Sequence, residues 1–134
     1  MSDLGIQVQR IEQRFREIEQ TAMAGVPILN PGLEVEGVGF EVFQNGILGM
    51  LVTPWFINIV YAYDAELQMN TGESLALGLP AGVFDFIVNQ DPVLGTYAAC
   101  SLFSPVLEFT DHSAAVIAAQ AALKTLLADD AELV

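Results

Sequence analysis

Basic residues are what this chain lacks most. Of its 134 residues only four are Lys or Arg, against 17 Asp and Glu, for a formal net charge of -13. Arg10, Arg14 and Arg16 lie near the start and Lys124 near the end, while the stretch from Glu17 to Leu123 holds twelve carboxylates and no Lys or Arg. A chain so composed cannot neutralise a run of phosphates, which argues against sequence-independent nucleic-acid binding and against adhesion to anionic membranes. Cysteine is nearly absent too. Cys100 alone makes neither an internal disulfide nor a multi-thiolate site, which removes zinc ribbons, rubredoxin-like iron and single-chain iron–sulfur clusters and fits a reducing compartment. No basic segment followed by an apolar one opens the sequence, so a cytoplasmic location is expected. Charged residues make up only 16% of the chain and hydrophobic ones 53%, too apolar a balance for disorder. The length suits a single domain over residues 1–134.

One uncharged run, Val42 to Tyr63, is as long as a membrane span, but Asn45-Gly46 is a tight-turn signal, Thr53-Pro54 interrupts the middle and neither flank is basic. Two buried strands and a turn explain it better.

Periodicity organises the rest. Val8, Ile11, Phe15, Ile18 and Ala22 recur at spacings of three and four and predict an amphipathic helix, with Ser2 or Asp3 as cap. Gly25-Val26-Pro27 and Asn30-Pro31-Gly32 break it. Leu33 to Phe43 alternates with a register shift near Gly37, a bulge signal, and Gln44-Asn45-Gly46 turns the chain back through Ile47 to Val52. Trp55 to Tyr63 reads as a third strand with Trp55 and Ile57 on one face and Phe56 and Asn58 on the other, both faces largely buried. Asp64 to Leu79 reads as a polar loop in which Ser74 to Leu77 makes at most a helical turn. Val83 to Val88 and Leu94 to Phe103 form a second hairpin around Asn89-Gln90-Asp91-Pro92, ended by Ser104-Pro105. The last element, capped by Thr110 or Asp111, is an alanine-rich helix. The expected fold is α+β: an N-terminal helix, about five mostly antiparallel strands in hairpins, and a C-terminal helix packed on the sheet, with both helices on one face.

Chemistry is sparse. His112 has no second His or Cys at a ligand spacing, and a capping or surface role suits it. Cys100 sits in an apolar strand without a cation to lower its pKa, so a packing role competes with a nucleophile that would need His112 as base. No Gly-x-Ser-x-Gly elbow surrounds Ser101 or Ser104. Glu34, Glu36 and Glu41 read as solvent-facing strand positions, not a calcium loop, and Gly37-Val38-Gly39 precedes no phosphate-binding helix. Eight Phe, three Tyr and Trp55 are the unusual supply. They either fill the core or leave an apolar patch that, on an acidic protein, suits a basic and apolar partner segment.

Four stretches carry more specific information: Asn30-Pro31-Gly32-Leu33-Glu34-Val35 ahead of Gly39-Phe40; Leu48 through Asn58 with Thr53-Pro54-Trp55-Phe56 inside it; Leu79-Pro80-Ala81-Gly82 with Phe86; and Gly95 through Pro105, followed by Glu108-Phe109-Thr110-Asp111. Together they resemble the HybE/HupJ family of nickel–iron hydrogenase assembly chaperones over most of the chain. Ile59-Val60-Tyr61-Ala62-Tyr63 replaces the family's aliphatic run ending in proline, and Val106 stands where methionine is common; both are core-like changes. Some relatives carry a rubredoxin domain, for which this chain, with Cys100 as its one cysteine, has neither the length nor the cysteines. The resemblance implies a non-catalytic, cofactor-free maturation chaperone. It would hold the small-subunit precursor of an uptake hydrogenase, and the large subunit or other maturation proteins with it, before assembly and twin-arginine export. On that reading Trp55, Phe56, Cys100, Phe103, Glu108 and Asp111 form the partner-binding set. Two alternatives stay open: a small thiol-dependent enzyme or redox accessory protein using Cys100 and His112, and a scaffold that bridges maturation factors.

Overall fold

The computed structural model describes residues 4–63, 70–103 and 106–128. The proposed Ser2 or Asp3 cap and the Ser104-Pro105 stop lie outside the described residues. Helix α1 spans Leu4–Gln20, and six strands follow: β1 Glu36–Phe43, β2 Gly46–Val52, β3 Ile57–Tyr63, β4 Ser74–Leu79, β5 Gly82–Asp91 and β6 Gly95–Phe103. Helix α2, His112–Leu126, closes the described chain. The strands form one sheet in the order β1-β2-β3-β6-β5-β4, antiparallel at every pairing. After β3 the chain therefore skips to the far edge and returns inward through two hairpins. The fold is α+β, as the periodicity predicted, with a sixth strand.

That strand, β4, corrects the loop reading of Ser74 to Leu79. Alternation settles the matter physically: Leu75, Leu77 and Leu79 point to the core while Ser74, Ala76 and Gly78 are exposed, a period of two that no helical turn accommodates. Leu79 pairs with Gly82 across a two-residue Pro80-Ala81 turn. Proline presets its own φ there, and Gly82 takes a φ of 148°.

The two helices cover opposite faces of the sheet, not one. Strands β2 and β3 are apolar in both alternating sets except at Asn58. Met50, Val52, Ile57, Ile59 and Tyr61 pack with Ala115, Ala119 and Leu123 of α2. Ile47, Leu51 and Val60 pack with Ile11 and Phe15 of α1. Two buried sets on one ribbon require a cover on each side, which is why a single helical layer would not suffice. Each wholly buried Leu or Ile here contributes about 1.5–3 kcal/mol relative to exposure. Trp55 changes sides from its expected partners, because it precedes β3 and joins the α1 cluster while Ile57 faces α2.

The register shift in β1 falls between Val38 and Glu41. Gly39 sits in it at φ 67°, and a Cβ there would come within 2.6 Å of Leu123. Only glycine meets both conditions. At its neighbours the bulged strand is tied to both helices: the Glu12 carboxylate of α1 accepts from the Gly37 N–H at 2.8 Å, and His112 of α2 reaches Glu36.

Candidate functional site

The two buried polar residues among the described ones, Asn30 and Thr53, stand at the end of the sheet where β1 and β3 begin and β2 and β6 finish. Each is buried because its hydrogen bonds are filled by backbone. The Asn30 amide nitrogen donates to the Val106 and Phe109 carbonyls at 2.9 and 2.8 Å, its Oδ1 accepts from Gly32 N–H, and its own N–H donates to Pro54. Three segments distant in sequence are thereby clasped by one residue, two through its side chain and the third through its backbone. Thr53 Oγ1 accepts from the N–H groups of Trp55 and Phe56 and donates to the Phe56 carbonyl. That turn aims Trp55 into the α1 side of the core.

His112 adds a fourth tie. Its Nδ1 accepts from the Glu34 N–H at 3.1 Å, which places the ring proton on Nε2, 2.8 Å from the Glu36 carboxylate. Asp111 caps α2 by accepting from Ala114 N–H. Three of the segments that carried the family resemblance, those around Asn30, Thr53 and Val106 to Asp111, thus meet in space, held by Asn30 and His112.

The six residues of the proposed binding set are distributed over both faces of this end. Trp55 is buried, tilted against Phe15 and edge-on to Phe56 at centroid distances of 6.3 and 5.5 Å, and Phe56 is half-buried beside it. Cys100 and Phe103 lie on the α2 side, Phe103 edge-on to Phe109 at 5.5 Å. Glu108 and Asp111 are exposed, as is Leu107 between Val106 and Glu108. The structure brings Trp55 and Phe56 together, and Phe103 near the loop of Glu108 and Asp111, but Cys100 and Trp55 belong to opposite layers.

Burial, with Asp85 adding to it, pushes the Cys100 thiol up, away from the thiolate a nucleophile needs. Both ring nitrogens of His112 are already engaged. Among the described residues no group of three or more His, Cys, Asp or Glu could hold a metal ion, and no helix is long and apolar enough to cross a membrane.

A cavity of about 540 Å³ opens at the other end, between α1 and the sheet, with Ile11, Phe15, Ile47, Val60 and Tyr97 as walls and Arg10 at its rim. Nothing in the sequence had pointed to it, since its residues are contributed by five separate elements. Elsewhere on α1, Arg14 pairs with Asp91 of β5, its Nε lying 3.0 Å from both carboxylate oxygens. Burial opposes ionisation of Asp91, but the N–H groups of Leu94 and Val93 and the Arg14 guanidinium outweigh it and hold the carboxyl below its usual range.

With this geometry in place, the class follows from comparison with known proteins. The sequence model of the family described as "[NiFe]-hydrogenase assembly, chaperone, HybE" matches residues 6–132, and the chain belongs to that family. Among its relatives, the hydrogenase expression/formation protein HupJ of Bradyrhizobium diazoefficiens is 43% identical over 122 residues, covering 90% of this chain and 72% of that one. The hydrogenase expression/formation protein HupT of Azotobacter chroococcum is 37% identical, covering 90% and 82%. Protein HoxT of Cupriavidus necator is 36% identical, covering 90% and 75%. In fold, the chain is similar to the solution structure of HybE from Escherichia coli, with a TM-score of 0.71 at 23% identity over 90% of this chain and 76% of that one.

Proposed function

We propose that this member of the hydrogenase assembly chaperone family acts in the cytoplasm, without turnover, by holding the small-subunit precursor of an uptake nickel–iron hydrogenase before assembly and twin-arginine export. The large subunit is a candidate second cargo. The observation that carries the reading is the family membership taken together with the charge distribution. A twin-arginine export signal joins paired arginines to an apolar stretch, and this chain offers the opposite sign. Among the described residues, Glu34, Glu41, Glu73, Asp85, Glu108 and Asp111 have no Lys or Arg in ion-pair reach. Within the reading, Trp55, Phe56, Cys100, Phe103, Glu108 and Asp111 remain the proposed partner-binding set, Glu108 and Asp111 as exposed carboxylates beside the exposed Leu107.

The test is co-purification from hydrogenase-expressing cells, where tagged chaperone should bring down unprocessed small subunit, less of it as salt rises. Recovery of large subunit alone, or of no hydrogenase subunit, overturns the precursor reading. Binding indifferent both to salt and to deletion of the signal peptide favours the scaffold alternative. Cys100→Ala separates the thiol alternative: it abolishes maturation outright if the thiol does chemistry, whereas loss of one contact of the binding set weakens client binding and leaves maturation measurable.

A further inference from the structure

The two edges of the sheet are built differently. Edge strand β1 carries Glu36 and Glu41, is bent by the bulge at Gly39 and is packed by both helices, all devices that deter further strand pairing. The opposite edge, β4, reads Ser-Leu-Ala-Leu-Gly-Leu, with no charge, no proline and an unbroken register against β5. Its Leu79–Gly82 pair closes a two-residue turn and so exchanges hydrogen bonds; by alternation Leu77 and Leu75 also bond inward to β5. The N–H and C=O groups of Ser74, Ala76 and Gly78 consequently point off the sheet. Among the described residues nothing bonds to them.

The face beside this edge is also open. On the α1 side of β5, Val83 and Ile87 are 73% and 46% exposed with Asp85 between them, and they pair with Gly78, Ser74 and Ala76 of β4. A Cβ at Gly78 would meet nothing within 4 Å. Small side chains on the edge, a branched apolar shelf behind it and a carboxylate in the shelf define a seat for an extended segment.

We propose that β4 is a strand-addition site at which an extended, apolar segment of the client protein pairs as a seventh strand, lays apolar side chains on Val83 and Ile87, and sets a basic residue toward Asp85. Backbone pairing supplies affinity in such a mode and the alternating side chains supply specificity. Charge selects the occupant. A second copy of this chain would bring another -13 to the seam, whereas a basic, apolar segment brings the complement. The site rests on the client reading above and names where the client's extended part lies.

The experiment uses the full chain and two synthetic peptides, one with paired arginines followed by a dozen apolar residues and one with the arginines replaced by glutamate. Amide exchange followed by NMR should show protection of Ala76 and Gly78 with the arginine peptide only. Ala76→Pro, which removes an outward N–H and no bond of the sheet, should weaken that binding at least tenfold, and Val83→Lys should weaken it several-fold while the exchange pattern of β1 to β3 is unchanged. If the arginine peptide binds Ala76→Pro as it binds the wild type, or protects only the end of the sheet around Trp55, the edge site is overturned and the chaperone reading stands. If the wild type binds neither peptide, the edge site is overturned, and the chaperone reading is decided by the co-purification above. Protection of the β4 amides without peptide, with a doubled mass in sedimentation, assigns the edge to a second copy and overturns the proposal.

Discussion

Strands β1 to β3 and strands β4 and β5 belong to one sheet, yet they are finished to different standards. The first three are covered by α1 on one face and packed by α2 on the other, and every residue of β2 after Gly46 is buried. Strands β4 and β5 are buried on the α2 side, through Leu77, Leu79, Phe86 and Val88, and open on the other. The apolar cover ends at the aromatic contact of Phe15 with Tyr97 on β6, beyond which Arg14 of α1 meets Asp91 at the end of β5. A difference of this kind inside one sheet separates what the sequence spends on holding the fold from what it leaves available for contact, since burial fixes the first half and nothing fixes the open face of the second.

The comparison can be broken most forcefully in the covered half. Leu51→Ala removes a wholly buried side chain against α1 and should cost about 2–5 kcal/mol in denaturant unfolding. Met50→Ala, its neighbour on the α2 side, should cost a similar amount, because both layers are filled to the same degree. A loss confined to one of them would mean that the other helix does not seal its face. At the clasped end, Asn30→Ala should cost about 3 kcal/mol by orphaning the buried groups it serves. Asn30→Asp should be worse at neutral pH, since it turns a carboxylate oxygen toward the Val106 and Phe109 carbonyls, and should recover part of the loss as acid protonates that carboxyl. Gly39→Ala should cost about 2 kcal/mol, from its positive φ and the displaced Leu123.

How far the sequence foretold this contrast depends on what each residue's signal is local to. The hairpin at Gln44-Asn45, the amphipathic stripe of Ile11 and Phe15 and the Asp111 cap rest on neighbours within a few positions, and all were legible. β4 was missed because Gly72, Gly78 and Pro80 flank or interrupt a six-residue alternation, and turn residues dominate so short a window. The placement of the helices on opposite faces was a long-range fact. Both faces of β3 read as apolar, but only the sheet order shows that α1 and α2 approach from different sides. The candidate site was legible as motifs and not as a structure: Asn30 and Thr53 looked like turn residues, and their partners are 76 and 79 positions away for one and three for the other.

A smaller effect marks the boundary between the halves. Burial, reinforced by the Asp91 charge, pushes the Tyr97 hydroxyl up to about 12, whereas an unfolded tyrosine ionises at about 10. Between those values the folded chain keeps a proton that the unfolded chain has released, so stability falls as pH rises from about 10 to about 12. Tyr97→Phe should flatten that share of the alkaline decline. An unchanged slope would mean that the ring is not enclosed between α1 and β6.

The smallest expected change sharpens the comparison most. Val83→Ser and Ile87→Ser lie on the open face, where no helix covers the side chain in the described residues, and each should alter unfolding free energy by no more than about 0.5 kcal/mol. The measurement should be made at two protein concentrations. A loss that is large in both would show that the face is packed within the chain, and one that grows with concentration would show a second copy lying on it. Neutrality at both concentrations leaves Val83 and Ile87 as apolar side chains that the fold does not need, which is the condition for a surface kept for a partner.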